Sequence, residues 1–233
     1  MTLDTQRTER EAVEREYSEG REPFSYSARA VEVLRHDWIA AKVGEHRPRN
    51  ILDVGCSLGQ LTARLTRIVP EVHAIDLSLH AVARARGRNA AARFASGTVT
   101  ALPYASGSFD FVVASDGPFS WNLDAADRQS ALAELRRVVA PEGHVLITEH
   151  TRRRRFAELV DLVGRASLRV VNVEYLYDRP WYQFESWLKA IQHWRVAQSL
   201  RGSAPVARSL LRFGRLVGPS ASRHVCILAA RQS

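Results

Sequence analysis

Short apolar runs alternate with helically spaced stretches along most of the chain. Ile51-Leu52-Asp53-Val54 predicts a buried strand ending at Gly55, and after Gly59 the spacing turns helical, with Leu61, Leu65, Ile68 and Val69 on one face. Val72 to Asp76 predicts a second strand, residues 79–91 an alanine- and arginine-rich helix, residues 92–97 a third strand, and Phe109 to Ala114 a fourth. Arg153 to Arg165 reads as a helix, Leu168 to Tyr175 as a strand, and His224 to Ala230 as the last strand. Upstream, residues 4–20 are charged and weakly periodic, which predicts a frayed helix or a disordered arm. A helix from about Ala28 to Val43 follows, ended by Gly44 and Pro48. The repeat of strands and helices predicts an α/β fold. A long segment, about 178–222, interrupts it before the last strand and carries Trp181, Tyr182, Phe184, Trp187, Trp194 and Phe213.

Composition narrows the class. With 233 residues, 45% hydrophobic and 25% charged, the chain can fill one domain with a sizeable core. No apolar run approaches the ~18–20 residues that cross a bilayer. The first 22 residues hold no apolar signal core. Two cysteines, Cys56 and Cys226, stand in or beside apolar strands without metal-ligand neighbours. They predict a cytoplasmic, reduced protein with no metal site. The net charge of +8 raises nucleic acid as a partner. However, only Lys42 and Lys189 are lysines, and the arginines are scattered apart from Arg152 to Arg155. This is the signature of a GC-rich coding sequence, and it argues against a nucleic-acid surface. Leu200 to Leu216 alternates leucines and arginines. Such a helix can lie on an anionic membrane, but its ordinary use is to pack an apolar side on the domain.

The turn after the first strand carries the candidate chemistry. A dinucleotide would require Gly-x-Gly-x-x-Gly, whereas the spacing here is Gly55-x-x-x-Gly59, with Asp53 two residues before the first glycine. The stretch resembles motif I of the class I S-adenosylmethionine-dependent methyltransferases. Asp76, 21 residues after Gly55, ends the second strand, where an acidic residue can accept from both ribose hydroxyls. Gly97 to Val112 resembles the G-D-A-x-x-L-P-F-x-x-x-S-F-D-x-V stretch of the small-molecule methyltransferases grouped as type 11, with Thr98 in place of the family's aspartate. Ala131 to Ile147 resembles the family's helix, turn and fifth strand, with Glu142 in place of the first turn glycine.

The resemblance covers about residues 51–148. It implies a Rossmann-like sandwich: a mostly parallel seven-stranded sheet, helices on both faces and an antiparallel last strand between the fifth and sixth. It implies S-adenosyl-L-methionine as cofactor, held by Asp53, Gly55, Cys56, Ser57, Gly59, Asp76, Leu77, Thr98, Val99 and Ser115. Residues 1–47 would form an arm and a lid helix, and residues 48–233 the domain, with a helical lid insertion at about 178–222. The acceptor is expected to be a small molecule held by Phe24, Tyr26, Phe119, Trp121, Trp181 and Tyr182. His150, Asp116 and His36 are the candidates for proton transfer, since they follow strand ends or face them. Two other activities stay open: methylation of RNA or protein, and a cofactor-binding protein without turnover.

Overall fold

The computed structural model of the chain describes residues 11, 14–23, 26–116, 123–189 and 194–232. Phe24, Phe119 and Trp121 lie outside the described residues. Seven strands form one sheet in the order β3-β2-β1-β4-β5-β7-β6. They are β1 (Asn50–Val54), β2 (Glu71–Asp76), β3 (Arg93–Ser96), β4 (Phe109–Ser115), β5 (Val139–His150), β6 (Leu168–Tyr175) and β7 (His224–Arg231). The first five run parallel, and β7 lies antiparallel to both β5 and β6. The register against β6 shifts between Val170 and Asn172.

Alternation along the strands divides the core between the two faces of the sheet. Leu52, Val112, Val145 and Ile227 face one side, where they meet α4 (Ala125–Val138) and α5 (Phe156–Arg165) through Leu132, Leu135, Phe156 and Val163. Ile51, Phe111, Val113 and Leu146 face the other, where they meet Ile39 and Val43 of α1 (Ala30–His46). The helix expected to arch over the site is thus built into the main core along its second half. A third layer covers its first half. There α6 (Arg179–Lys189) and α8 (Ala204–Val217) pack on α1 around Ala30, Val31, Trp181 and Ala207. A short helix, α7 (Trp194–Arg201), joins them. Among the described residues no helix is long and apolar enough to cross a membrane.

Two local expectations are corrected. Gly44 does not end α1; the helix continues to His46 and closes on Arg47, whose left-handed backbone donates its N–H to the Gly44 carbonyl. The helix after the glycine turn, α2, has only four residues, Thr62–Leu65, and α3 (Leu79–Arg88) follows β2. The continuation of α2 tightens into i→i+3 turns ahead of Pro70, and this leaves Ile68 46% exposed. Residues 14–18 form an ordered helical segment, because the Tyr17 ring has a buried seat beside Leu58 and Ala81. The aromatics of residues 178–222 also differ in environment: Trp181 is fully buried, whereas Trp187 and Phe213 are mostly exposed.

Candidate active site

The turn after β1 places three left-handed residues within five: Gly55 (φ 78°), Ser57 (φ 48°) and Gly59 (φ 77°). Glycine adopts this backbone without strain. Space is also tight at position 59, where a Cβ would meet Asn89 Nδ2 at 2.6 Å and displace that side chain from its bond to the Gly59 carbonyl. The N–H groups of Gly55 and Cys56 both donate to the Ile75 carbonyl, at 2.8 and 3.1 Å, tying the turn to β2. One residue further, the Asp76 carboxylate accepts from the Ser57 N–H at 2.7 Å and from the Ser78 N–H at 2.9 Å. Burial raises the pKa of Asp76, and these two amides pull against it.

Asp53 lies on β1 with 1% exposure, and the Thr62 hydroxyl donates to it at 2.7 Å. No cationic side chain pairs with it among the described residues, and burial pushes its pKa up to about 7. Tyr17 covers the turn, its hydroxyl 2.6 Å from that of Ser57. Around this centre Cys56 is buried, Leu77 is 44% exposed, Thr98 bonds the Thr100 hydroxyl at 2.9 Å, and Val99 packs against the edge of the core.

A second constellation forms at the carboxyl ends of β4 and β5. Asp116 leaves β4 in a left-handed conformation, φ 51°. Arg35 of α1 reaches it at 2.9 Å and the Ser115 hydroxyl at 2.6 Å, while its other edge holds Glu32 at 2.9 Å. Because β7 runs antiparallel, its first residue arrives at this same end of the sheet. That residue is His224. Its Nε2 donates to Asp116 at 2.8 Å and its Nδ1 to Asp178. Glu32 further accepts from Arg29 at 3.1 Å and from the Tyr182 hydroxyl at 3.0 Å.

The charges in this cluster follow from those contacts. Burial alone would raise Asp116, but Arg35 and His224 outweigh it and hold the carboxyl well below the usual range. Burial alone would neutralise His224, but Asp116 and Asp178 push its pKa up to about 10, so it is an imidazolium at neutral pH. His150 stands against it, ring centroids 4.9 Å apart. Burial and the His224 charge both lower the pKa of His150, which leaves an accessible neutral imidazole. His36 is buried beside Arg35 and is neutral too, its pKa lowered to about 3 by burial and then by that guanidinium. Glu149, next to His150, is pushed up to about 8 by burial and then by Asp116, and its Oε2 has no partner among the described residues.

The residues singled out in the sequence therefore fall into groups. Asp53, Gly55, Cys56, Ser57, Gly59 and Asp76 converge on one turn. Ser115, Asp116, His36, His150, Tyr26 and Tyr182 gather around Arg35, with the Tyr26 ring 6.3 Å from that of His36. Trp181 stands apart in the helical layer. Sequence reasoning missed Glu32, Arg35, Asp178 and His224. One signal was present: Glu32, Arg35, Ile39 and Val43 share one helical stripe, which marks the two charged residues as inward-facing.

Comparison with known proteins gives a consistent picture. The family model described as "Methyltransferase domain" matches residues 51–143. Malonyl-[acyl-carrier protein] O-methyltransferase of Pseudescherichia vulneris is 35% identical over 130 residues, covering 55% of this chain and 50% of that protein. Demethylmenaquinone methyltransferase of Thermus thermophilus is 35% identical over 111 residues, 45% of this chain and 49% of that protein. The chain thus spans about half the length of these curated relatives. Among solved structures, N-methyltransferase NodS from Bradyrhizobium japonicum with S-adenosyl-L-homocysteine superposes at TM-score 0.59 and 16% identity, covering 87% of this chain and 88% of that one. The [4+2]-cyclase SpnF superposes at 0.58 and 23% identity, covering 84% and 80%. These superpositions show the fold alone.

Proposed function

Residues 51–143 match a methyltransferase domain, and from that premise we propose that the protein is a class I S-adenosylmethionine-dependent methyltransferase that methylates a small-molecule acceptor. The observation that carries the reading is the convergence of two carboxylates, the buried Asp53 and the half-buried Asp76, on the Gly55–Gly59 turn. The fit to S-adenosylmethionine is chemical. Asp53 is a buried carboxyl group with no cation among the described residues, which suits the ammonium of the methionine end. Each Asp76 oxygen spends one acceptor site on an amide and keeps another for a ribose hydroxyl. The bound cofactor supplies an electrophilic methyl on a sulfonium.

The protein's own part is positioning and proton management. Holding an acceptor in line is the main source of rate in such a displacement. Arg35, held by Glu32 and Asp116, and His224, held by Asp116 and Asp178, form a fixed polar wall that needs no rearrangement during reaction. His150, neutral and accessible, can take a proton at its free ring nitrogen if the acceptor is a hydroxyl. Tyr26, over the Arg35 guanidinium, and Tyr182, bonded to Glu32, border the acceptor. One relative named as an O-methyltransferase of malonyl-[acyl-carrier protein] and one named as a demethylmenaquinone methyltransferase support an acyl or quinone-type acceptor. Two buried free thiols suit a reducing, cytoplasmic setting.

The test is label transfer from methyl-labelled cofactor to a panel of carboxylates, phenols, quinols and amines. Label in a small acceptor is the expected result. Label only in RNA or protein overturns the small-molecule reading. Cofactor binding with no transfer across the panel would instead favour a role without methylation, as the cyclase neighbour's fold allows.

Cofactor binding should also release a proton. Asp53 is protonated below about pH 7 in the free protein, and an ammonium beside it favours the carboxylate. Affinity for S-adenosyl-L-homocysteine should therefore rise with pH up to about 7 and then level off. Calorimetry in buffers of different ionisation enthalpy reads the released proton, and Asp53→Asn should abolish the release. A flat profile in the unaltered protein would count against the Asp53 assignment.

A further inference from the structure

A cavity of about 760 Å³ lies away from the glycine turn, between α1, α8 and the end of β6. It is large enough for a drug-sized ligand. Its floor includes Glu32, Arg35, Asp178 and His224, the outer surface of the buried charge cluster. One wall is apolar, built from Val31, Leu34 and Trp38 of α1 with Leu211 of α8. The facing edge carries Arg208, Arg212 and Arg215, at i, i+4 and i+7 on α8 and so on one side of that helix.

The charges lining this cavity do not balance. Three carboxylates border it, and each already has a cation. Glu32 is held by Arg29 and Arg35, Glu174 by Lys42 at 3.0 Å, and Asp178 by His224. None is left for the three arginines of α8, which have no carboxylate partner among the described residues. The cavity is therefore an apolar trough with three uncompensated guanidinium groups along one edge. Its roof is fixed in place. α8 meets the loop after β6 at Gly214, where a Cβ would come within 2.0 Å of the Tyr177 carbonyl oxygen, so the helix seats backbone against backbone.

We propose that this cavity binds a monomeric amphiphilic acid, its apolar body against Val31, Leu34, Trp38 and Leu211 and its oxyanion head on Arg208, Arg212 and Arg215. Guanidinium forks match carboxylate oxygens in pairs, which gives the head an orientation as well as a charge. The aromatic and aliphatic wall takes the body out of water. The site shares its floor with the polar wall proposed for the acceptor but does not include the glycine turn, so binding of the acid is read without methyl transfer.

The test uses the full chain and displacement of anilinonaphthalene sulfonate by octanoate, with octanol as the uncharged match. Octanoate should displace the probe about tenfold better than octanol. Arg212→Gln should weaken octanoate several-fold, and the combined Arg208→Gln, Arg212→Gln and Arg215→Gln variant should remove the preference for the acid. Ser209→Gln, on the same exposed helix but outside the lining, should change nothing. Affinity for S-adenosyl-L-homocysteine, measured on every variant, should stay constant and reports that the fold is intact. Equal displacement by acid and alcohol, or an unchanged triple variant, overturns the proposal. So does sedimentation with phosphatidylglycerol vesicles without octanoate binding, which would make the arginines of α8 a membrane contact.

Discussion

Replacing Arg35 by methionine is expected to destabilise the fold by about 3–5 kcal/mol, the cost of removing one partner from a buried ion pair. The guanidinium has 3% exposure and holds two carboxylates and a hydroxyl at once. Without it, Glu32 retains Arg29 and Asp116 retains His224, so the loss should fall in the lower half of that range. For a chain of this length it corresponds to a melting temperature lower by roughly 6–16 °C. Arg35→Lys keeps the charge but not the fork, and should recover only part of the loss. Urea unfolding of the parent and both variants measures it. If Arg35→Met costs less than about 1 kcal/mol, the range of a solvated ion pair, the cluster relaxes into water once cut.

The second large effect concerns the cofactor. Asp76→Ala should weaken S-adenosyl-L-homocysteine by about 1.5–3 kcal/mol, roughly 10- to 150-fold, the value of hydrogen bonds to a charged acceptor. Part of that loss is indirect, since Asp76 also holds the Ser57 and Ser78 amides. Asp76→Asn separates the contributions. It keeps one carbonyl acceptor and should bind better than the alanine variant. Calorimetry decides between them, and an alanine variant that binds like the parent removes Asp76 from the ribose site.

The glycine turn was legible in the sequence because its parts are contiguous. The conformation of Gly55, Ser57 and Gly59 is a local backbone requirement, and Asp76 ends the very next strand. Strand order beyond the βα repeat came from family resemblance, since an apolar run does not say which neighbour it pairs with. The charge cluster was almost illegible. Arg35, Asp116, Asp178 and His224 are brought together only by the antiparallel return of β7 and the docking of α6, and charged residues far apart in sequence read as surface. The fate of the aromatics was equally hidden. Trp181 and Trp187 share one helix, yet one is core and the other faces water, because only one side of α6 meets α1 and α8.

The two strands at the margins of the sheet bear on how the protein behaves when concentrated. A free strand edge is a template on which a second copy can add its own strand, the first step towards aggregation. On one side β3 is only four residues long and opens on the exposed Arg93, too short and too charged for stable addition. On the other, β6 is eight residues long and would be the greater hazard. Its register break between Val170 and Asn172 interrupts the regular spacing of backbone donors and acceptors, and Arg169 places a charge beside the break. An incoming strand would find no long flat run to pair with on either margin, so the chain is protected against edge-to-edge polymerisation without a closed barrel.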